Sequence, residues 1–326
     1  MDRRRSLAAL ATLSAMSAIG RPGAAQQTWP AKPIRMIVAY PPGGASDTVA
    51  RLLGPKLAAA LGTQVVVENR GGAAGSIGMD AVAKAASDGY TIGFAAVSPL
   101  TLNPHVMRVA YDPQKDVIAV ASVMFSPVYL MATPLFSGKR FDDIISQSRA
   151  HPGGLRVASS GVASVGHLML EQIRERFRID ITHVPYKGAG QVLTDALSGQ
   201  FELFTTNPNV SLHPHIERGT LRLLAVGAPK RLDSYPQVPT LAELDAPAAN
   251  LTSTFGLFAP AGTAPEIIRR LNDETNKALT DTELRERMLR SDNVPAPTAQ
   301  IDFARLILNE YVNNAQVVKA ANIRLD

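Results

Sequence analysis

Between residues 34 and 95, short apolar runs alternate with segments of helical period, and this order constrains the fold more than any other feature of the chain. Ile34–Ala39 is a strand candidate, broken by Tyr40-Pro41-Pro42-Gly43-Gly44-Ala45. A helix then runs to about Leu61, with Ser46 or Asp47 as its cap and Val49, Leu52, Leu53 and Leu57 on one face. Gly62 ends it. Val65–Glu68 is a second strand, Asn69-Arg70-Gly71-Gly72 a turn, Ser76–Ala86 a second helix and Thr91–Ala95 a third strand. This β-α-β-α-β order predicts an α/β fold with a mostly parallel sheet and helices on both faces.

The remainder repeats the theme. Strands are expected within Val117–Met131 and at Leu155–Ala158, Ile181–Val184, Phe201–Thr205 and Leu221–Val226. Helices are expected at Phe141–Ala150, Ser164–Phe177, Gln191–Leu197, Pro265–Leu279, Glu283–Arg290 and Ile301–Ala320. A chain of 326 residues suggests two domains. There is no low-complexity linker, so the chain is expected to pass between them through ordered strands.

Residues 1–25 have the layout of a secretory signal peptide. Arg3, Arg4 and Arg5 precede an apolar stretch from Leu7 to Ile19, and Gly23-Ala24-Ala25 offers a small-residue cleavage site. The apolar stretch is shorter than the roughly 18 residues a membrane span needs. Arg3-Arg4-Arg5-Ser6-Leu7 also loosely fits a twin-arginine signal, so export by the general or the twin-arginine route stays open. The whole chain carries 33 Lys and Arg against 28 Asp and Glu, but the first 25 residues hold four arginines and one aspartate. The rest is close to neutral and has no basic run, which gives no support to a nucleic-acid partner. There is no cysteine, so disulfide frameworks, thiolate metal sites and cysteine nucleophiles are excluded. That also fits an oxidising compartment, here the bacterial periplasm.

Two loops stand out chemically. Pro41-Pro42-Gly43-Gly44-Ala45-Ser46-Asp47 joins a strand to a helix, and Ser159-Ser160-Gly161-Val162-Ala163 does the same about 115 residues later. A glycine turn at a helix start exposes backbone N–H groups where the helix dipole favours an anion. If the two halves face each other, both helix starts point into one cleft, beyond the carboxyl ends of parallel strands. Two unrelated turns would look the same by spacing alone. A dinucleotide site is the rival, with Glu68 placed as a ribose-binding acid, but neither G-x-G-x-x-G nor a P-loop is present. Catalytic and metal motifs are poor. Gly161–Gly166 is not G-x-S-x-G, and none of the six histidines forms H-E-x-x-H. His213-Pro214-His215 has no third ligand nearby and reads as an exposed loop, and Lys187 as part of a structural turn with a minor contribution to ligand contact.

Taken in order, the motifs resemble one family over nearly the whole chain after residue 28. They are Trp29-Pro30-x-Lys32-Pro33-Ile34-Arg35, the Pro41–Asp47 loop, Val65-Val66-Val67-Glu68-Asn69-Arg70 and Asp88-Gly89-Tyr90-Thr91. Tyr111-Asp112-Pro113, Ser160-Gly161-x-x-Ser164-x-x-His167 and His183-Val184-Pro185-Tyr186-Lys187-Gly188 follow. Val238-Pro239-Thr240 and Gly256-Leu257-x-Ala259-Pro260-Ala261-Gly262-Thr263 complete them. The chain resembles the periplasmic substrate-binding receptors of tripartite tricarboxylate transporters, the Bug-type receptors. The resemblance implies a two-lobed Venus-flytrap fold of the type II periplasmic-binding class, and a small carboxylate held between the loops matching 40–47 and 159–167. It also implies that the chain leaves lobe one near Phe125–Met131 and returns near Phe255–Pro260. Lobe one is thus expected at 26–128 and 256–326, and lobe two at 129–255. The chain departs from the pattern at Ala163, where glycine is usual, at Thr254 and Asn314, where tryptophans are, and at Gly71, where proline is.

The expected protein is a non-catalytic, monomeric receptor that binds a small organic acid and presents it to membrane permease subunits, with no cofactor and no metal. Gly43, Gly44 and Ala45 should approach the carboxylate, with Asp47 alongside, and Ser160, Gly161, Ser164 and His167 should close from the other lobe. Tyr40 and Pro42 should form an apolar wall, and Ser98, Thr206 and Asn207 should tune selectivity. The alternatives are a sensor feeding a signalling partner and a periplasmic hydrolase or isomerase using His167 and Asp47.

Overall fold

The structure, a computed structural model, describes residues 29–320; the expected signal peptide lies outside the described residues. The first half opens with β1 (Ile34–Val38), α1 (Ala45–Leu61), β2 (Val65–Asn69), α2 (Ser76–Ala83) and β3 (Thr91–Ala96). Two short helical turns follow, α3 (Ser98–Thr101) and α4 (Asn103–Val106). The 16-residue strand β4 (Val117–Ala132) then leads into α5 (Phe141–Ala150), β5 (Arg156–Ser159), α6 (Val165–Phe177), β6 (Thr182–Pro185) and α7 (Ala189–Leu197). After β7 (Leu203–Thr206), α8 (His213–Glu217) and β8 (Arg222–Gly227), the chain returns along β9 (Thr252–Pro260). It ends with α9 (Pro265–Ala278), α10 (Thr282–Leu289), β10 (Val294–Pro295) and α11 (Gln300–Ala320).

The strands are ordered β2-β1-β3-β9-β4-β7-β5-β6, with β8 and β10 also paired to β4. The expectation of a mostly parallel sheet is corrected here. β1 pairs parallel with β2 and β3, and β5 with β6 and β7, but every pairing of β4 and β9 is antiparallel. The reason is topological. β4 carries the chain out of the first half and β9 brings it back, so the two run in opposite directions where they lie side by side. β4 pairs with β9 up to Pro127 and with β7 and β8 from Val128 onward, so one strand belongs to both halves. Each parallel set is a βαβ unit whose crossover helices cover the sheet faces.

The cores follow from this layering. On one face of the first sheet, Ile34, Met36 and Phe94 pack with Leu53 and Leu57 of α1 and Leu271 of α9. On the other, Ile37 and Phe258 pack with Met79 and Val82 of α2 and Phe303 of α11. In the second half, Leu130, Val157 and Leu203 meet Leu170 and Ile173 of α6, while Phe204 and Tyr129 meet Val192 and Ala196 of α7. Each fully buried Leu, Ile or Phe contributes roughly 1.5–3 kcal/mol. The departures at Thr254 and Asn314 sit together. Thr254 Oγ1 lies 3.4 Å from Glu310 Oε1, and Asn314 Nδ2 donates to Thr101 Oγ1 at 3.2 Å. Burial pushes the Glu310 carboxyl up to about 7.

Candidate functional site

A cavity opens where the carboxyl ends of β1, β3, β5 and β7 converge, with walls from both halves. Its volume is about 50 Å³, against roughly 10–15 Å³ for one water. Tyr40, Gly44, Ala45 and Ser98 line it from the first half, and Ser160, Ser164, Thr206 and Asn207 from the second. Eight of the expected residues therefore meet in one place. Pro42, Gly43, Asp47, Gly161 and His167 do not line it.

The first loop is shaped by Gly43, whose φ of +87° belongs to the left-handed region that favours glycine. Gly44 caps α1 with extended backbone, φ −84°, and needs no special conformation. The expected cap at Ser46 or Asp47 is thereby corrected: both lie inside the first turn of α1, and Ala45 and Ser46 line the cavity. Asp47 turns away from it. Its Oδ2 accepts the Gly43 N–H at 3.0 Å, and its Oδ1 accepts from Arg51 Nε at 3.0 Å and Asn69 Nδ2 at 2.9 Å. Burial would raise this carboxyl, but the Gly43 amide, Arg51 and Asn69 outweigh it and hold Asp47 below the usual range.

Pro41, not Pro42, forms the wall beside Tyr40. It also bridges the cleft. A Cβ added at Gly188 in the second half, or at Gly71 in the first, would collide with the Pro41 ring. Glycine at 71 thus makes room for Pro41. A Cβ on Gly190 would fall 2.8 Å from the Pro42 carbonyl oxygen, and one on Gly161 would fall 3.6 Å from Ala74 Cβ. The two halves are thus in contact around the cavity. Burial pushes the Tyr40 hydroxyl well above its ordinary range, so it stays neutral.

The second loop ends at Ser164, which caps α6 and accepts the His167 N–H at 3.2 Å. Its neighbours Val165 and Gly166 line the cavity. His167 is buried beneath the loop, where its Nδ1 accepts the Ala163 N–H at 3.2 Å. His167 and Asp47 sit in different halves on separate hydrogen-bond sets, so the geometry does not assemble the base and orienter that a hydrolase would need. Asn207 lines the cavity, but its Nδ2 is spent on Pro127 O at 2.9 Å and Ser253 Oγ at 3.0 Å, at the crossover between the halves. Thr206 Oγ1 donates to Asn207 O at 3.1 Å.

Sequence reasoning missed several wall residues. Ala189 begins α7 after Gly188, a third strand–glycine–helix junction on the same rim. Ala74 comes from the glycine-rich turn that follows β2. Val128, Thr205 and Phe255 come from the central strands. The Thr205 hydroxyl is buried without a hydrogen-bond partner and lies against Gly166 at the start of α6. Lys187 is exposed and off the wall. His213 is not in a loop: it starts α8, with Nδ1 2.6 Å from the Tyr235 hydroxyl. Among the described residues, no Lys, Arg, His, Asp or Glu lines the cavity. What the walls offer is hydroxyls, apolar surface and the unpaired first-turn N–H groups of α1 and α6. Such groups favour an anion of modest size.

The family described as "Tripartite tricarboxylate transporter family receptor" matches residues 49–323. The chain belongs to this receptor family. The receptor is similar to Protein BugT of Bordetella pertussis, with 36% identity over 327 residues covering 100% of both chains. It is also similar to a solved R. palustris protein, Rpa4515, with adipate: TM-score 0.86, 31% identity, 91% of this chain and 100% of that one. A further likeness is MatC from Rhodopseudomonas palustris with bound malate: TM-score 0.83, 29% identity, 89% of this chain and 99% of that one. The receptor therefore has the two-lobed fold of periplasmic binding proteins. Its cavity lies in the cleft between the lobes.

Proposed function

We propose that this receptor captures a small carboxylate in the cleft and delivers it, chemically unchanged, to the membrane permease subunits of a tripartite transporter. The observation that carries the proposal is the convergence of the α1 and α6 N-termini on one cavity that, among the described residues, no charged side chain lines. Dipoles of two helices supply a positive potential there, and their N–H groups are fixed before the anion arrives. The adipate and malate of the two solved relatives support the same ligand class. In this proposal lobe one comprises residues 26–128 and 256–326, and lobe two residues 129–255. The partner change along β4 at Pro127/Val128 fits the first boundary. Residues 1–25 direct export to the periplasm, where the receptor acts as a monomer.

The test is a thermal-shift screen against malate, adipate, citrate, glutamate and benzoate, followed by mass spectrometry of the incubated acid. A ligand at a hundredfold excess over Kd stabilises the native state by about 2.7 kcal/mol. The expected result is a raised Tm with the acid recovered intact. Turnover of the acid, or stabilisation by none of them, contradicts the proposal.

A further inference from the structure

Beneath the second loop, two histidines from different elements stack face to face. The rings of His167 on α6 and His183 on β6 lie 4.1 Å apart at 12°. Neither lines the cavity. Each is tied to the loop that does. The Ala163 N–H donates to His167 Nδ1 at 3.2 Å. His183 Nε2 lies 2.7 Å from Ser159 Oγ, which in turn accepts the Gly161 N–H at 3.2 Å and lies 3.1 Å from the Gly161 carbonyl oxygen. One continuous set of contacts thus grips the loop at its start, its middle and its end. Ser160, Ser164 and Val165, which do line the cavity, sit between or just beyond the gripped positions.

The conformation of Ala163 shows why the loop needs holding. Its φ is +60°, a region that L side chains adopt only when the surroundings over-determine it. An N–H in that position points to one acceptor, and the structure supplies His167 Nδ1. Because a backbone amide can only donate, Nδ1 must carry its lone pair there. The ring proton is then on Nε2, which faces Glu171 Oε1 at 3.5 Å. Arg174 holds that carboxylate with contacts of 3.0 and 3.1 Å. His183 stays neutral beside it, since burial, with His167 next to it, pushes its imidazole down to about 3.

We propose that His167 and His183 form a brace beneath the lobe-two loop that sets its shape, so that His167 serves carboxylate capture as a positioning residue without touching the ligand. The inference rests on the receptor function proposed above. It differs from it in assigning the histidine a role through Ala163 rather than through contact.

The test uses the full mature chain and three variants: His167→Leu, which removes the acceptor at similar volume; His167→Asn, whose amide oxygen can occupy the place of Nδ1; and His167→Leu combined with Ala163→Gly. Affinity is read by calorimetry with whichever of malate, adipate, citrate, glutamate and benzoate stabilises wild type most. Amide exchange over residues 159–167 is read in the ligand-free protein. The brace predicts at least a tenfold weaker Kd and faster exchange for His167→Leu. It predicts less than a threefold change for His167→Asn, and substantial recovery in the double variant, because glycine holds φ +60° unaided. Wild-type affinity and exchange in a folded His167→Leu protein overturns the brace, as does a His167→Asn protein no better than His167→Leu. If His167→Leu fails to fold, the exchange rates of His167→Asn and wild type decide, equal protection supporting the brace and lost protection overturning it. If wild type binds none of the acids, the receptor reading fails on its own while the exchange data still judge the brace.

Discussion

The two loops that feed the cavity do the same job with different chemistry. After β1, the turn is held from its own lobe by an ionic cluster in which Asp47 gathers the Gly43 amide, Arg51 and Asn69. After β5, the turn is held by imidazole and hydroxyl groups, with His167, His183 and Ser159 taking the corresponding places. The first loop puts its left-handed residue on a glycine, Gly43, while the second puts one on an alanine, Ala163. A negative charge in the first turn of α1 would oppose an incoming anion, but Arg51 offsets it, and the carboxylate is turned toward Gly43. The comparison teaches that a helix start becomes an anion platform through whatever holds the preceding turn rigid, and that the holding group need not face the ligand.

Substitutions at the two helix starts should separate these designs. The largest effect is expected at Gly166, where an added Cβ would collide with Thr205. Gly166→Ala must therefore displace the start of α6, and overpacking of this kind costs about 1–3 kcal/mol. Titration calorimetry should show a ten- to hundredfold loss of carboxylate affinity. A milder loss is expected on the other platform. A Cβ on Gly44 meets only Ala189 Cβ at 3.9 Å, and the φ of −84° suits any residue. Gly44→Val should fold, by circular dichroism, yet place methyl groups at the cavity wall and weaken binding about tenfold, or 1.4 kcal/mol. If Gly44→Val binds like wild type while Gly166→Ala does not, the platforms are unequal and lobe two alone supplies the site.

The smallest effect should come from Asp47→Asn, and it should depend on pH. The folded carboxyl is held below its ordinary 3.8. A depressed acid adds stability that is fully present above the unfolded value and is lost as pH falls through the folded one. The variant should therefore be less stable than wild type by about 1 kcal/mol at pH 7, and the difference should vanish in the acid range below 3.8. Chemical denaturation at a series of pH values measures this. Affinity should change less than about threefold, because removing the charge favours the anion while loosening the loop disfavours it. A stability difference that persists unchanged at low pH would mean that the charge is not what holds the first loop.

Much of this was legible in the sequence because it is local. The apolar period from Ile34 to Ala95 specified three strands and two helices, and the glycine and serine turns at 43–46 and 160–164 marked the helix starts. Partnership between distant strands was not legible. Nothing in the composition of Val117–Ala132 or Thr252–Pro260 says that they pair antiparallel, because register is decided by the crossover between the halves. The same holds for the site. Ala189, Ala74 and Phe255 reach the cavity only because the lobes meet, and their residue types carry no chemical signal. The motif makes His167 a ligand contact, whereas in the fold its ring turns beneath the loop. Asp47 looked like a cap because its residue type favours that position, yet Gly44 holds it and Asp47 bonds backward from the third residue of α1.

The central claim is that two helix starts, one from each lobe, grip one carboxylate between them. The most direct measurement is an amide chemical-shift titration of the isotope-labelled receptor with its best acid from the screen. The account predicts large, concurrent shifts with one shared Kd at the amides of residues 43–46 and 164–166. Shifts confined to one of the two helix starts would contradict it. So would shifts centred on the groove of lobe two that carries Lys139, Arg140 and Arg222.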